Sequence, residues 1–158
     1  MRLRAIVVSA IAGLIMAALT VVGAPNAAAA YPTTTGFGDR QELVDAGGEI
    51  ITGYTVTDLR PSNEVVPWPV AGQLWEATVK AEALRGDPQP IVASFNARAA
   101  NGENYQHLFA AASPGALGPE VIAQGHHNKG KLYFDVVGME PNSVVYNSGV
   151  EDLLIWVS

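Results

Sequence analysis

The sequence has no cysteine among its 158 residues. This absence excludes a disulfide framework, a thiolate metal site and a lipid-bearing cysteine behind a leader, so packing alone must hold the fold. Basic residues are also scarce, since nine Lys and Arg stand against 15 Asp and Glu. The net charge of −6 argues against nucleic acid and anionic membranes as partners, because both are polyanions.

The chain begins with the pattern of an export leader. Arg2 and Arg4 precede an almost unbroken apolar run over residues 5–22, and alanines at 28–30 supply a small-residue cleavage site. We predict a helical secretory signal peptide over residues 1–30, with a transmembrane helix as the alternative. Cleavage leaves 128 residues with a net charge of −8, because both arginines are lost. We expect one domain over residues 31–158 that is secreted, extracellular, monomeric and not membrane-bound.

Residues 72–83 carry the clearest structural signal. Their composition suits a helix, but apolar and polar residues alternate strictly, which is typical of a half-buried strand. The predicted inner face consists of Trp75, Ala77, Val79, Ala81 and Ala83, and the outer face of Glu76, Thr78, Lys80 and Glu82. A sheet with one face in water indicates an antiparallel all-β domain.

Similar patterns predict further short strands along the chain. They cover residues 41–44, 49–59, 91–99, 104–111, 120–123, 131–137, 142–147 and 152–157, after a partly ordered lead-in at 31–39. In the strand predicted at residues 91–99, Ile91, Ala93 and Phe95 should point inward. Asn101-Gly102 predicts a hairpin between residues 91–99 and 104–111, because both turn residues tolerate positive φ. This number of short strands separated by turns predicts a β-sandwich.

Five blocks, in order, closely resemble the small secreted immunogenic protein family of mycobacteria. They are PVAGQLWEAT at 69–78, FNAR at 95–98, Gly102 with NY at 104–105, GKLYFDV at 130–136 and EDLLIW at 151–156. The similarity extends over residues 31–158. It implies an immunoglobulin-like antiparallel β-sandwich that is secreted, recognised as an antigen and without an assigned biochemical activity. It therefore implies no catalytic or binding residues.

Histidines offer the only neutral-pH bases for a different function. A small secreted hydrolase or metal-binding protein would use His107, or His126 and His127, together with nearby carboxylates. Adjacent residues on an extended backbone point in opposite directions, so His126 and His127 do not face one metal without a turn between them. No Gly-x-Ser-x-Gly motif and no phosphate-binding glycine loop occurs in the sequence. We therefore predict a protein that is not an enzyme and binds no cofactor or metal.

Two loops are candidates for partner binding. Trp68 lies between two prolines in a connection that cannot run through a sheet, and is interpreted either as an exposed aromatic anchor or as a lid on the core. Arg85, Gly86 and Asp87 form an Arg-Gly-Asp tripeptide that resembles the integrin-binding sequence of adhesion proteins, with an ordinary hairpin turn as the alternative. The sequence predicts a non-catalytic interaction module that binds a protein or an envelope or host surface component through loops or a sheet edge.

Overall fold

The computed structural model describes residues 30–108 and 115–158, so the predicted leader helix lies outside the described residues. The described part contains nine strands and a short 3-10 helix, Val92–Ser94, before β5. The strands are β1 (Thr33–Gly36), β2 (Arg40–Val44), β3 (Ile51–Pro61), β4 (Gln73–Arg85), β5 (Phe95–Ala99), β6 (Asn104–Gln106), β7 (His127–Val136), β8 (Pro141–Asn147) and β9 (Asp152–Val157). Within these residues, no helix has the length and hydropathy needed to cross a membrane.

The strands form two sheets that pack as a sandwich. One sheet has the order β2-β3-β4-β7, and the other has the order β1-β9-β8-β5-β6. The chain crosses between the sheets after β1, β4, β6 and β7. Strands β3-β4-β7 thereby correspond to the A-B-E order of an immunoglobulin domain, and β5-β8-β9 to its C-F-G order. The predicted immunoglobulin-like β-sandwich is confirmed.

Strand β4 occupies the middle of its sheet and confirms the alternation found in the sequence. Its five predicted inward residues, from Trp75 to Ala83, are all 7% exposed or less. They meet a facing layer from the second sheet in which Phe95, Val144 and Trp156 are fully buried. The predicted exposure of the outer face holds in part for Thr78, Lys80 and Glu82, which are half-buried. It is wrong for Glu76, which is only 5% exposed. Two neighbouring strands cover Glu76 with polar side chains, described below.

The predicted lead-in over residues 31–39 is wrong, because it contains a strand. Residues Thr33–Gly36 pair with Leu154–Val157 of β9, and this pair is parallel. Strand β9 therefore lies between β1 and β8, as its apolar residues on both faces predict. The parallel partner is more than 100 residues away, so no local turn signal announces the pairing.

The register predicted for residues 91–99 is wrong in its first half. The 3-10 helix buries Val92 and leaves Ile91 61% exposed, and Ala93 is exposed as well. From Phe95 onward the predicted inward residues Phe95, Ala97 and Ala99 are buried, but Asn96, predicted outward, is buried as well. The helix accounts for the difference in the first half, because its tighter winding rotates the side chains out of the strand pattern.

The hairpin between β5 and β6 is confirmed by its antiparallel pairing. Of its two turn residues, only Gly102 has a positive φ, 90°, so the turn departs from the expected type. Residues 109–111 of the predicted second strand lie outside the described residues. The strand predicted at 120–123 is wrong, since that segment is irregular. Tyr133 on β7 is fully buried although alternation predicts it outside, because residues 107–108 run along that strand.

Candidate binding site at one end of the sandwich

A groove opens between the two sheets at the end where β2 and β4 finish and β3 begins. Its volume is about 390 Å³. Strands of both sheets contribute to it, as does the connection between β4 and β5, and we call it the loop-end groove. Its walls are mainly apolar and include Leu43, Val44, Ile50, Pro88, Ile91 and Leu153.

Two buried tyrosines form the inner wall of the loop-end groove. The rings of Tyr54 and Tyr146 stack with their centroids 5.5 Å apart. Burial, followed by the neighbouring Tyr146, raises the pKa of Tyr54 far above its ordinary value. Burial also raises the pKa of Tyr146, although the Ser94 and Tyr54 hydroxyls act in the opposite direction. Both phenols therefore stay neutral at physiological pH and present hydroxyl groups rather than charges.

The rim of the groove carries little charge. Asp45 is the one residue with a charged side chain among the described residues that line it. Its Oδ1 accepts a hydrogen bond from the backbone N–H of Ile50 at 2.9 Å, and its carbonyl accepts one from Gly48 at 2.9 Å. These bonds fix the turn between β2 and β3, which forms one side of the mouth.

The Arg-Gly-Asp tripeptide lies beside this mouth. Arg85 Nη1 donates a hydrogen bond to the Gly48 carbonyl at 3.1 Å, and the Gly86 N–H donates one to Gln124 Oε1 at 2.8 Å. Asp87 Oδ1 accepts a hydrogen bond from the Gln124 N–H at 2.8 Å. The tripeptide thus joins the turns on either side of it and supports Pro88 in the groove wall. A role for Arg85, Gly86 and Asp87 in partner binding stays a prediction.

Trp68 lies at the opposite end of the sandwich. Trp68 lies just before the first residue of β4, whereas Arg85 is the last residue of that strand. The 13 residues of β4 separate its two ends by about 40 Å. The indole of Trp68 is half-buried, and its buried Nε1 has no hydrogen-bond partner among the residues that the structure describes. The structure therefore does not bring the two candidate loops together, and binding through Trp68 also stays a prediction.

The histidines do not converge. His107 is opposite Phe134 near the end of β7, with Nδ1 3.2 Å from the backbone N and O of Tyr133. Burial lowers the pKa of His107, although the contact with the Tyr133 carbonyl acts the other way. His127 is at the start of β7, seven residues or about 23 Å of strand away. His126 and His127 are exposed, and no His, Asp and Glu group suited to a metal occurs in residues 30–108 and 115–158.

An ionic cluster around the buried carboxylate of Glu76 lies on the outer face of the four-stranded sheet. Glu76 accepts hydrogen bonds from Arg60 Nε at 3.2 Å and Nη2 at 3.0 Å, from Ser62 Oγ at 2.6 Å and from Lys131 Nζ at 3.1 Å. Burial by itself would raise the pKa of Glu76, but these donors together hold it below its ordinary value. Lys131 Nζ also contacts Glu64 at 2.8 Å. Every bond of the Glu76 carboxylate is internal, which indicates a structural role.

Comparison with known proteins agrees with this architecture. A family model described as "Domain of unknown function (DUF1942)" matches residues 32–156. The chain belongs to the DUF1942 family. Immunogenic protein MPB63 of Mycobacterium bovis and immunogenic protein MPT63 of Mycobacterium tuberculosis are each 45% identical to it over 157 residues, which is 99% of both chains. The crystal structure of MPT63, a secreted protein of M. tuberculosis, matches with a TM-score of 0.79 and 46% identity, over 82% of this chain and 99% of that one.

The resemblance to secreted mycobacterial immunogenic proteins is confirmed by these DUF1942 relatives. Their names describe antigens and assign no catalytic function, and nothing supports the hydrolase or metal-binding alternative. The loop-end groove itself was missed by reasoning from the sequence. Its apolar residues stand at strand ends, where they are indistinguishable from core residues until the register of both sheets is known.

Proposed function

We propose that this DUF1942 protein is a secreted, antigenic module without catalytic activity that binds a protein or an envelope or host surface component. It acts as a monomer after the leader is removed, and neither nucleic acid nor a membrane is its partner. The names of its relatives, immunogenic proteins and a secreted protein, support the antigenic and extracellular parts of this proposal. The acidic composition supports the exclusion of polyanions.

The observation that carries the proposal is the loop-end groove on a rigid sandwich. An apolar concavity with a few polar groups is the usual form of a binding site. Loops held by a rigid scaffold are also where binding residues concentrate. In the described part of the chain, His107 lies apart from His126 and His127, and no group of His, Asp and Glu suited to a metal occurs, which supports a role in binding rather than catalysis.

The sheet edges are less suited to a partner than the loops. Hydrogen bonds already occupy part of the outer edge of β7. The Tyr133 carbonyl accepts one from the Leu108 N–H at 2.8 Å, and the Lys131 carbonyl accepts one from the Leu117 N–H at 3.0 Å. On β2, the Val44 N–H donates to the Tyr31 hydroxyl at 3.0 Å. The edge strands of the second sheet, β1 and β6, have four and three residues. Very short edge strands discourage the addition of a partner strand.

Site-specific photocrosslinking tests this function. A benzophenone amino acid replaces Ile91 at the groove mouth in one protein and Val65, which is 87% exposed in the connection before β4, in the control. Each secreted protein is incubated with mycobacterial envelope fractions and with host-cell surface fractions. We expect a saturable adduct from position 91 that unlabelled wild-type protein competes away, and none from position 65. No saturable adduct, or equal adducts from both positions, would contradict the proposal.

A further inference from the structure

We propose that the loop-end groove binds a small neutral molecule that has an apolar body and one hydrogen-bonding group, taken up from solution. This inference rests on the proposed function only in placing the binding face at this end of the sandwich. It names the chemical class of a ligand, which no relative's name supplies.

The dimensions of the groove suit a small molecule. Its volume of about 390 Å³ lies within the range of roughly 300–1,000 Å³ that is usual for ligand pockets. It penetrates between the sheets as far as Tyr54 and Tyr146, both of which are buried core residues. Ile91 extends the apolar wall out to the mouth and is 61% exposed. An apolar ligand body would cover this side chain and remove it from water.

The polar groups of the groove favour a ligand without charge. The inner wall includes Tyr54, Tyr146 and Ser94, and the Tyr146 hydroxyl is hydrogen-bonded to the hydroxyls of the other two. A hydroxyl can both donate and accept, so each keeps capacity for a further hydrogen bond. An anionic group would find no cation among the described lining residues and would meet Asp45 at the rim. A cationic group deep beside the tyrosines would lose its hydration and find no anion there, because both phenols are neutral and Asp45 stands at the rim. Arg85, the nearby cation, donates to the Gly48 carbonyl outside the groove.

Two probes with the same ring system distinguish a preference for a neutral ligand from binding of an anionic one. N-phenyl-1-naphthylamine is neutral, and 1-anilinonaphthalene-8-sulfonate adds one sulfonate to that body. Protein purified from culture medium is titrated with each probe, and probe fluorescence is followed. We expect saturable binding of the neutral probe at one site and affinity for the sulfonate that is at least about tenfold weaker, which corresponds to about 1.4 kcal/mol.

Matched variants locate the bound probe. Ile91→Asp places a charge at the mouth and should weaken binding of the neutral probe by about tenfold or more, whereas Val65→Asp should leave it unchanged. Tyr54→Phe removes one hydroxyl and keeps the ring, and should weaken binding by about three- to tenfold. Circular dichroism melts of the three variants show whether each is folded at the temperature of the titration.

Three results would overturn the inference. They are no saturable binding of the neutral probe, equal affinity for the two probes, and undiminished binding by Ile91→Asp. Failure of the probes while photocrosslinking from position 91 persists would reject the ligand class and leave the proposed function intact. Selective probe binding without a crosslinked partner would support the ligand class and reject the protein or surface partner.

Discussion

Replacement of Glu76 by Gln tests how the outer face of the four-stranded sheet is held together. The carboxylate receives four hydrogen bonds from three side chains, and its own side chain is 7% exposed. Breaking a fully buried ion pair costs about 3–5 kcal/mol. The side chain of Arg60 is 62% exposed and regains hydration when its partner is lost, so we expect a smaller loss of about 2–3 kcal/mol in the free energy of unfolding.

Glu64→Gln is the matched control for this experiment. Glu64 contacts the same Lys131 Nζ, but its side chain is 39% exposed. Exposed pairs of this kind contribute less than about 1 kcal/mol. Urea unfolding at pH 7, monitored by tryptophan fluorescence, measures both variants against the wild type. Equal effects of the two substitutions, or a loss below about 0.5 kcal/mol for Glu76→Gln, would refute a structural role for the buried Glu76 carboxylate.

The pH dependence supplies an independent check on Glu76. Its pKa is lowered in the folded protein from the ordinary value of 4.5, so the ionised carboxylate stabilises the fold above that value. This stability is lost as the pH falls through the folded pKa. The difference between wild type and Glu76→Gln should therefore be complete at pH 7 and shrink below pH 4.5. A difference that grows on acidification would contradict the sign of the pKa change.

Two further substitutions test the packing. In Gly130→Ala the new Cβ would lie 2.3 Å from the backbone nitrogen of Leu117, so we expect a loss of at least about 2 kcal/mol in urea unfolding. In Gly47→Ala the new Cβ would lie 3.6 Å from the nearest atom, which belongs to a side chain, so the free energy of unfolding should change by less than about 0.5 kcal/mol. Equal effects of Gly130→Ala and Gly47→Ala would contradict the predicted clash. Trp156→Phe removes the hydrogen bond from Nε1 to the Asp39 carbonyl, 3.0 Å long, and leaves a cavity, so the melting temperature should fall with a loss of about 2–4 kcal/mol. An unchanged melting temperature would contradict it.

The fold follows from the sequence wherever burial is decided strand by strand. Alternation from Trp75 to Ala83 places one face of β4 in the core, and a strand with that pattern cannot reverse its faces without exposing all of them. The apolar residues on both faces of β9 likewise predict a strand with neighbours on each side. In both cases the local pattern and the tertiary structure impose the same requirement.

Prediction failed where distant contacts decide the outcome. Strand β1 exists because β9 offers it a parallel edge. Glu76 is buried because Arg60 and Lys131, on the strands at either side, pair with it. Neither the pairing of β1 nor the burial of Glu76 can be predicted from the alternation within a single strand. Tyr133 differs from its pattern for the same reason, since another segment covers it.

The candidate site was less predictable than the fold. Its lining comes from β2, β3, β8, β9 and the connection before β5, and only the register between these segments brings them to one opening. Ile50 and Ile91 carry no mark in the sequence that separates a groove wall from a core. The sequence did indicate the loop at residues 85–90 as a place for binding, and the structure sets Pro88 from that loop in the groove wall.

Backbone amide shifts of the ¹⁵N-labelled secreted protein, titrated with N-phenyl-1-naphthylamine, show whether the loop-end groove is the binding face. We expect saturable shifts at residues 43–54, 88–94 and 146–153, and unchanged shifts around Trp68 and along β6 and β7. Shifts centred on Trp68 or on the edge of β7, with none at the groove, would contradict this assignment.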